Sequence, residues 1–303
     1  MEFVNPSFHL TADNLEEYHE KGFTKLTGFF SQELIQHMYE IASKQIEYPK
    51  DDFYKGRLSG LQFNMSNHTV YDLLQDAAFS KTMKALTEKK LFFVHDIGFK
   101  IAKNTDSGLG WHVGVQSFGY QRATDYGCSL WVPLIPIDNS KQKGGIAFIS
   151  EKMVSGEFIF KYLRNAAVST LKKSIQENEP IPHERFKNIE NILNTPEMLE
   201  ILNYHQETFD CNLGDVIIFN KQVIHKSIKL GDGPIDFRYA YVLRFIDFDA
   251  TYDSHRVENL ETTRNYYGNN PDKYFYNRLN LQEGDRIRES HFFEDVDNRT
   301  VYC

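Results

Sequence analysis

Three segments of this 303-residue chain carry side chains able to do chemistry together. The first is Gly110-Trp111-His112-Val113-Gly114-Val115-Gln116. The second runs from Gly214-Asp215 through Val216-Ile217-Ile218-Phe219-Asn220 and continues into Val223-Ile224-His225-Lys226-Ser227. The third spans Phe237 to Phe245 and holds Arg238 and Arg244. Each histidine lies beside apolar, β-branched residues of the kind that form strands. Two neutral imidazoles on different strands make a rigid half-site for a transition metal. Arg238 follows His225 by thirteen residues, and a guanidinium grips a carboxylate in a bidentate fork. Ser227, two residues past His225, shares its strand face and offers a hydroxyl. Arg244, six residues past Arg238, falls on the same face as Arg238. Ser129 and Gln116 are further polar candidates.

The elements that must position these residues are legible from periodicity. Residues 11–47 read as helix, turn, helix: Thr11 or Asp13 caps the first, Gly22-Phe23 ends it, and Phe23–Leu26 alternates as a short strand. Ser31 stands as N-cap before Leu34, Ile35, Met38 and Ile41 at helical spacing. A further helix is expected near 70–87. From residue 91 the period changes to that of strands: 91–94, 97–101, 128–135, 145–149, 215–219 and 238–245. Turn residues separate them at Asn104–Gly110, Asp138–Gly144 and Gly231–Pro234. Short strands without intervening helices predict an antiparallel sandwich or barrel. The stretch 151–208 is charged and carries Leu171, Ile175, Ile189, Ile192, Leu193 and Leu199 at helical intervals, so a helical insert is expected between two strands. The tail, 250–303, reads as loop and short helices. With no repeat and no linker, 1–303 is expected to fold as one domain.

Composition bounds the partners. Hydrophobic residues make up 41% and charged residues 25%, which excludes global disorder. A chain of this length buries roughly 75% of its unfolded surface as a single unit. The net charge of −8 disfavours nucleic acid and anionic membranes, both polyanions. Cys128, Cys211 and Cys303 are widely spaced and odd in number, which suits reduced thiols in a cytoplasmic protein. The start, MEFVNPSFHL, lacks the pattern of a signal peptide. The longest apolar stretch, Leu130–Ile137, is broken by two prolines and is too short to span a bilayer.

These motifs resemble the phytanoyl-CoA dioxygenase-like branch of the Fe(II)/2-oxoglutarate oxygenases. The similarity runs through Leu10-Thr11-Ala12, Gly22-Phe23 and Gly28-Phe29-Phe30-Ser31, through Gly144-Gly145-Ile146-Ala147-Phe148-Ile149-Ser150, and through the stretch from Gly214-Asp215 to His225-Lys226-Ser227. It implies an all-β core with helices, a double-stranded β-helix of jelly-roll or cupin-like type, with N-terminal helices and the helical insert. It implies Fe(II) held by His112 and His225, with O2 as cosubstrate. It also implies 2-oxoglutarate chelating the metal, its far carboxylate on Arg238, with Ser227, Ser129 or Gln116 assisting.

One departure matters. The family's first motif is His-x-Asp; here it is His112-Val113-Gly114, and glycine supplies no third ligand. His-x-Gly resembles the non-haem iron halogenases, in which a chloride takes the carboxylate's place. Each contributes one negative charge, so the metal keeps its balance. Gly114 then marks the vacancy, and Arg244 stands where it can help hold the halide. The implied activity is chlorination of an unactivated aliphatic carbon of a small, amino-acid-like precursor, free or tethered to a carrier protein. Hydroxylation, desaturation or oxidative cyclisation by the same fold is the alternative, and a non-catalytic binding protein a third. A carboxylate from Asp106 or Asp125 would remove the vacancy. Trp111, Trp131, Lys100, Lys103, the cysteines and the pair His95-Asp96 read as structural.

Overall fold

The computed structural model describes residues 1–45, 68–104, 109–178, 192–266 and 279–293. Two antiparallel sheets form the centre. The larger has strand order β1 (Phe23–Leu26), β6 (Val216–Asn220), β3 (Gly127–Pro133), β8 (Phe237–Asp247), β2 (Leu91–Ala102). The smaller has the order β5 (Glu207–Thr208), β4 (Ile146–Ile149), β7 (Ile224–Ser227). An isolated bridge between His112 and His225 adds the His112 segment beside β7.

Strand period two decides what each face meets. On β8, Tyr239, Tyr241, Leu243 and Phe245 face outward into a core shared with helices α2 (Gln32–Gln45), α3 (His68–Gln75) and α4 (Ala77–Thr87). Ala240 and Val242 face the other sheet. There they join Trp131, Phe219, Ile146 and Phe148. Phe23 stacks on Phe148 at 5.0 Å, and Phe148 meets Phe219 at 5.3 Å. Arg238 and Arg244 share this inward face, as their even spacing requires.

The N-terminal expectations match in detail. Thr11 caps α1 (Ala12–Lys21) in a capping box closed by Asn14, and Gly22 ends it in the left-handed conformation. The Ser31 hydroxyl accepts from the Leu34 amide at 3.1 Å. The single helix expected near 70–87 is two, because Asp76 caps a second start by accepting from Ala78 and Phe79. The strands expected at 91–94 and 97–101 are one, β2, with a register shift between Phe93 and His95. The insert begins with a short helix, Gly156–Phe158, and a π-helical turn, Ile159–Leu163, and continues into Arg164–Glu177. Leu171 in that helix is fully buried, whereas Ile175 is exposed; Ile189 lies outside the described residues. After helix Pro196–His205, the last residues expected in the insert, Glu207–Thr208, pair instead with β4 as an edge strand. The tail has the short helices expected, Ile287–Glu289 and His291–Phe293, and in addition a full helix, Ser254–Tyr266.

Candidate metal centre

His112 and His225 exchange backbone hydrogen bonds in both directions, each at 3.0 Å. Their ring centroids lie 4.2 Å apart, tilted by 50°. Each ring is aimed by its own chain: Nδ1 of His112 meets the Gly110 carbonyl at 2.8 Å, and Nδ1 of His225 meets the Val223 carbonyl at 2.8 Å. A carbonyl only accepts, so Nδ1 carries the proton in both. In the neutral rings the lone pair is then on Nε2, the arrangement metal-binding imidazoles adopt. Burial and then the neighbouring His112 hold His225 well below the usual histidine range, so it stays neutral.

Gly114 follows on the N-terminal cap of a one-turn helix, Val115–Phe118. A Cβ placed there would lie 2.8 Å from the Phe118 ring and 2.9 Å from the Lys221 carbonyl oxygen. That carbonyl cannot retreat freely, because it accepts the Gly114 amide at 2.9 Å. No side chain fits at 114 as the chain stands, so no carboxylate comes from that position. Among the described residues no group of three His, Cys, Asp or Glu side chains is placed to hold a metal. Asp125 is committed elsewhere: it accepts from the Thr251 amide at 2.7 Å and the Thr251 hydroxyl at 3.2 Å. Asp106 lies outside the described residues, as does the Gln116 side chain.

Arg238 is 2% exposed and has no carboxylate beside it among the described residues. Its guanidinium donates to the Gly144 carbonyl at 2.8 Å and the Gly145 carbonyl at 3.4 Å, and lies over Trp131 at 5.8 Å. Nε has no hydrogen-bond partner. Burial alone pulls its ionisation down to about 10. Gly144 has φ +94, and a Cβ there would stand 2.9 Å from Leu230, so only glycine turns the chain tightly enough to present these carbonyls. A buried cation with only carbonyl partners lacks the counter-charge that would offset its burial. Ser227 lies on the inward face of β7 opposite Ile146.

Arg244 faces Ser129 across one strand pair and His95 across the other. It donates to Nε2 of His95 at 2.6 Å. Burial and then Arg244 keep His95 well below the usual range, so His95 is a neutral acceptor. His95, read from the sequence as structural, lies on the same inward face as Arg244 and touches it. Its neighbour Asp96 points the other way and accepts from the Tyr241 hydroxyl. Alternation sends the two to opposite faces; the register shift between Phe93 and His95 decides that His95 is the inward one, and nothing in the local sequence marks it.

The insert braces the histidines from outside. Asn203, on helix Pro196–His205, accepts from the Trp111 indole at 3.3 Å and from Lys226 at 2.5 Å, while the Lys226 ammonium sits 4.5 Å from the Trp111 ring. Asn194 donates to the Trp111 carbonyl at 2.9 Å. Trp111 and Lys226 each adjoin one histidine, so this clasp fixes both segments.

No protein-family model matches the chain, and no curated protein matches it in sequence. Solved structures do match. The non-heme alpha ketoglutarate dependent carbocyclase SnoK from nogalamycin biosynthesis superposes with TM-score 0.62 at 12% identity, over 93% of this chain and 96% of that one. The epimerase SnoN, in complex with Fe3+, alpha ketoglutarate and nogalamycin RO, superposes with TM-score 0.58 at 12% identity, over 90% and 94%. HygX from Streptomyces hygroscopicus, with nickel and 2-oxoglutarate bound, gives 0.52 at 15%, over 79% and 88%. The chain shares the fold of these enzymes. Among the described residues no helix is long and apolar enough to cross a membrane.

Proposed function

We propose that this chain is an Fe(II)/2-oxoglutarate-dependent oxidoreductase acting on a small molecule, and that it transfers a halogen to an aliphatic carbon. The observation that carries the first part is the pair of cross-bridged imidazoles, each with Nδ1 tied to a carbonyl, together with the buried Arg238 whose Nε lacks a partner. The donor set fits: two imidazoles suit ferrous iron, and a guanidinium between sheets suits the far carboxylate of 2-oxoglutarate. Bound iron and 2-oxoglutarate would supply the oxidising power, drawn from O2 as the keto acid is converted to succinate and carbon dioxide.

The chain's own part is positioning. His112 and His225 fix two ligand atoms on backbones that hold each other. Arg238 and the Ser227 hydroxyl orient the cosubstrate along the inward face, with Ser129 and Gln116 as assisting candidates. Phe148, Phe219 and Trp131 supply an apolar floor between the sheets. Gly114 supports the halogenase reading, because the steric closure at 114 leaves the third protein position to an external anion. Chloride matches the missing carboxylate in charge. Selectivity for halogen over hydroxyl then rests on holding the target carbon nearer the halide, an effect of position.

An anaerobic crystal of the iron and 2-oxoglutarate complex grown with bromide tests this directly. Anomalous signal from bromide beside Gly114 is expected. A polypeptide carboxylate on the metal at that position would overturn the halogenase reading. The second reading, hydroxylation, desaturation or cyclisation, is favoured by the neighbours, a carbocyclase and an epimerase. Oxygenated or cyclised product at saturating chloride, with no halogenated product by mass spectrometry, would establish it. A binding protein without catalysis is the third reading; stoichiometric iron binding stabilised by 2-oxoglutarate would count against it.

A further inference from the structure

The space between the sheets holds a second, half-buried cation that the proposed cosubstrate does not satisfy. Arg244 is only partly exposed, and burial pulls its ionisation down to about 10. Among the described residues its hydrogen-bonding partner is a neutral imidazole, His95, and its Nε has none. No described carboxylate pairs with it. Ser129 lies directly across the strand pair from it, 3% exposed and on the same inward face. Phe219 is the other neighbour of Ser129, and its ring lies 4.7 Å from the ring of His225. Arg244 is therefore in the layer of the metal ligands, whereas Arg238 lies six residues along the strand.

Charge balance sets what Arg244 must meet. The ferrous ion contributes two positive charges and the two guanidiniums one each. The dianion 2-oxoglutarate would cancel two, with Arg238 as the residue that would hold its far carboxylate. A halide cancels a third. One positive charge remains, and it resides on Arg244. Solvent reaches Arg244 only in part, so it offsets that charge less than bulk water would.

We infer that Arg244, with the Ser129 hydroxyl, binds a monoanionic carboxylate of the substrate. A carboxylate fits the guanidinium fork, and its single charge closes the balance; a phosphate monoester would overshoot it. His95 holds the guanidinium in place without neutralising it, since a neutral acceptor leaves the positive charge available. The substrate class is thus a carboxylic acid, anchored beside the metal ligands. This rests on the functional reading above, and the test separates the two.

The experiment is thermal unfolding of the full chain with Ni(II) and saturating 2-oxoglutarate, titrated in turn with sodium acetate, sodium phosphate, sodium bromide and the uncharged acetamide. Wild type, Arg244→Gln, Arg244→Lys and Arg238→Gln are compared. The expected result is a rise in Tm with acetate, at constant ionic strength, that acetamide does not give. Arg244→Gln loses it at least tenfold in half-saturating concentration, and Arg244→Lys retains part. Arg238→Gln loses the response to 2-oxoglutarate but keeps an acetate response. An acetate response equal in wild type and Arg244→Gln overturns the inference, as does an Arg244-dependent response confined to bromide or to phosphate. If nickel with 2-oxoglutarate fails to stabilise the wild type, the functional reading fails instead. Should Arg244→Gln not fold, Ser129→Ala replaces it, with a weakened acetate response expected and an unchanged one counting against the site.

Discussion

Replacing Gly114 by aspartate restores the residue the resemblance leads one to expect, yet the structure predicts that it will not restore a ligand. The backbone there has φ −66, which any residue adopts, so conformational strain adds nothing. The cost is steric: Cβ would meet the Phe118 ring at 2.8 Å and the Lys221 carbonyl at 2.9 Å. The ring can swing aside, but the carbonyl is held by the Gly114 amide. Forcing extra atoms into a packed site costs typically about 1–3 kcal/mol. At roughly 2–4 °C per kcal/mol for domains of 150–250 residues, the Tm should fall by several degrees. Gly114→Ala isolates the Cβ and should lose most of this amount. Adding Phe118→Leu to Gly114→Ala should recover the part due to the ring and leave the part due to the carbonyl. Differential scanning calorimetry measures the stability, and titration with Co(II), followed by its visible absorption, measures the metal site. A Gly114→Asp protein as stable as wild type that binds Co(II) more tightly would refute the steric argument.

Three other outcomes follow from buried groups. Arg238→Met should abolish stabilisation by 2-oxoglutarate while leaving the ligand-free Tm unchanged or raised, because it removes an uncompensated buried cation; a ligand-free Tm lower by many degrees would contradict this. Lys221, 3% exposed and bonded to the Arg122 carbonyl at 3.0 Å, is held down to about 7 by burial, by Arg256 and by Lys161 against the opposing pull of Asp125. Its folded value lies below its unfolded value of 10.5, so the unfolded chain binds the extra proton between these limits and stability should rise with pH from about 7 to 10.5. Lys221→Met should be the more stable protein at pH 6, and the advantage should vanish toward pH 10 in urea titrations. Asn203→Ala, which removes the acceptor shared by Trp111 and Lys226, should cost about 0.5–1.5 kcal/mol, the net worth of a hydrogen bond open to water, and weaken Co(II) binding; unchanged metal affinity would show that the clasp does not position the histidines.

The sequence was most informative where one residue settles a local question. Thr11, Ser31 and Gly22 mark helix ends because caps and left-handed glycines act within a few residues. Alternation revealed the inward arginines, because a strand's period is fixed by its geometry. The site residues His112 and His225 are brought together as expected, and Arg238 is buried without a counter-ion. What escaped was masked by an unbroken apolar spacing or depended on distant contacts. The break at Asp76 divides a helix whose apolar spacing runs straight through it. The register shift after Phe93 turns His95 toward Arg244, and only the pairing of β2 with β8 reveals that. The edge strand Glu207–Thr208 exists because β4 has a free side, not because its two residues favour extension. The steric demand at Gly114 comes from Phe118 and Lys221 and could not be read from His-x-Gly alone.

The reciprocal backbone bonds between His112 and His225 have a consequence for how a metal would be chosen. An apoprotein whose two nitrogen donors are already in register loses little entropy on capture, so loading should be quick and reversible. It would also discriminate poorly, since a clip of two imidazoles would bind cobalt, nickel or zinc more tightly than ferrous iron. Selection would then fall to whatever completes the coordination sphere from solution, and supply in the cell, more than affinity, would decide which ion resides there.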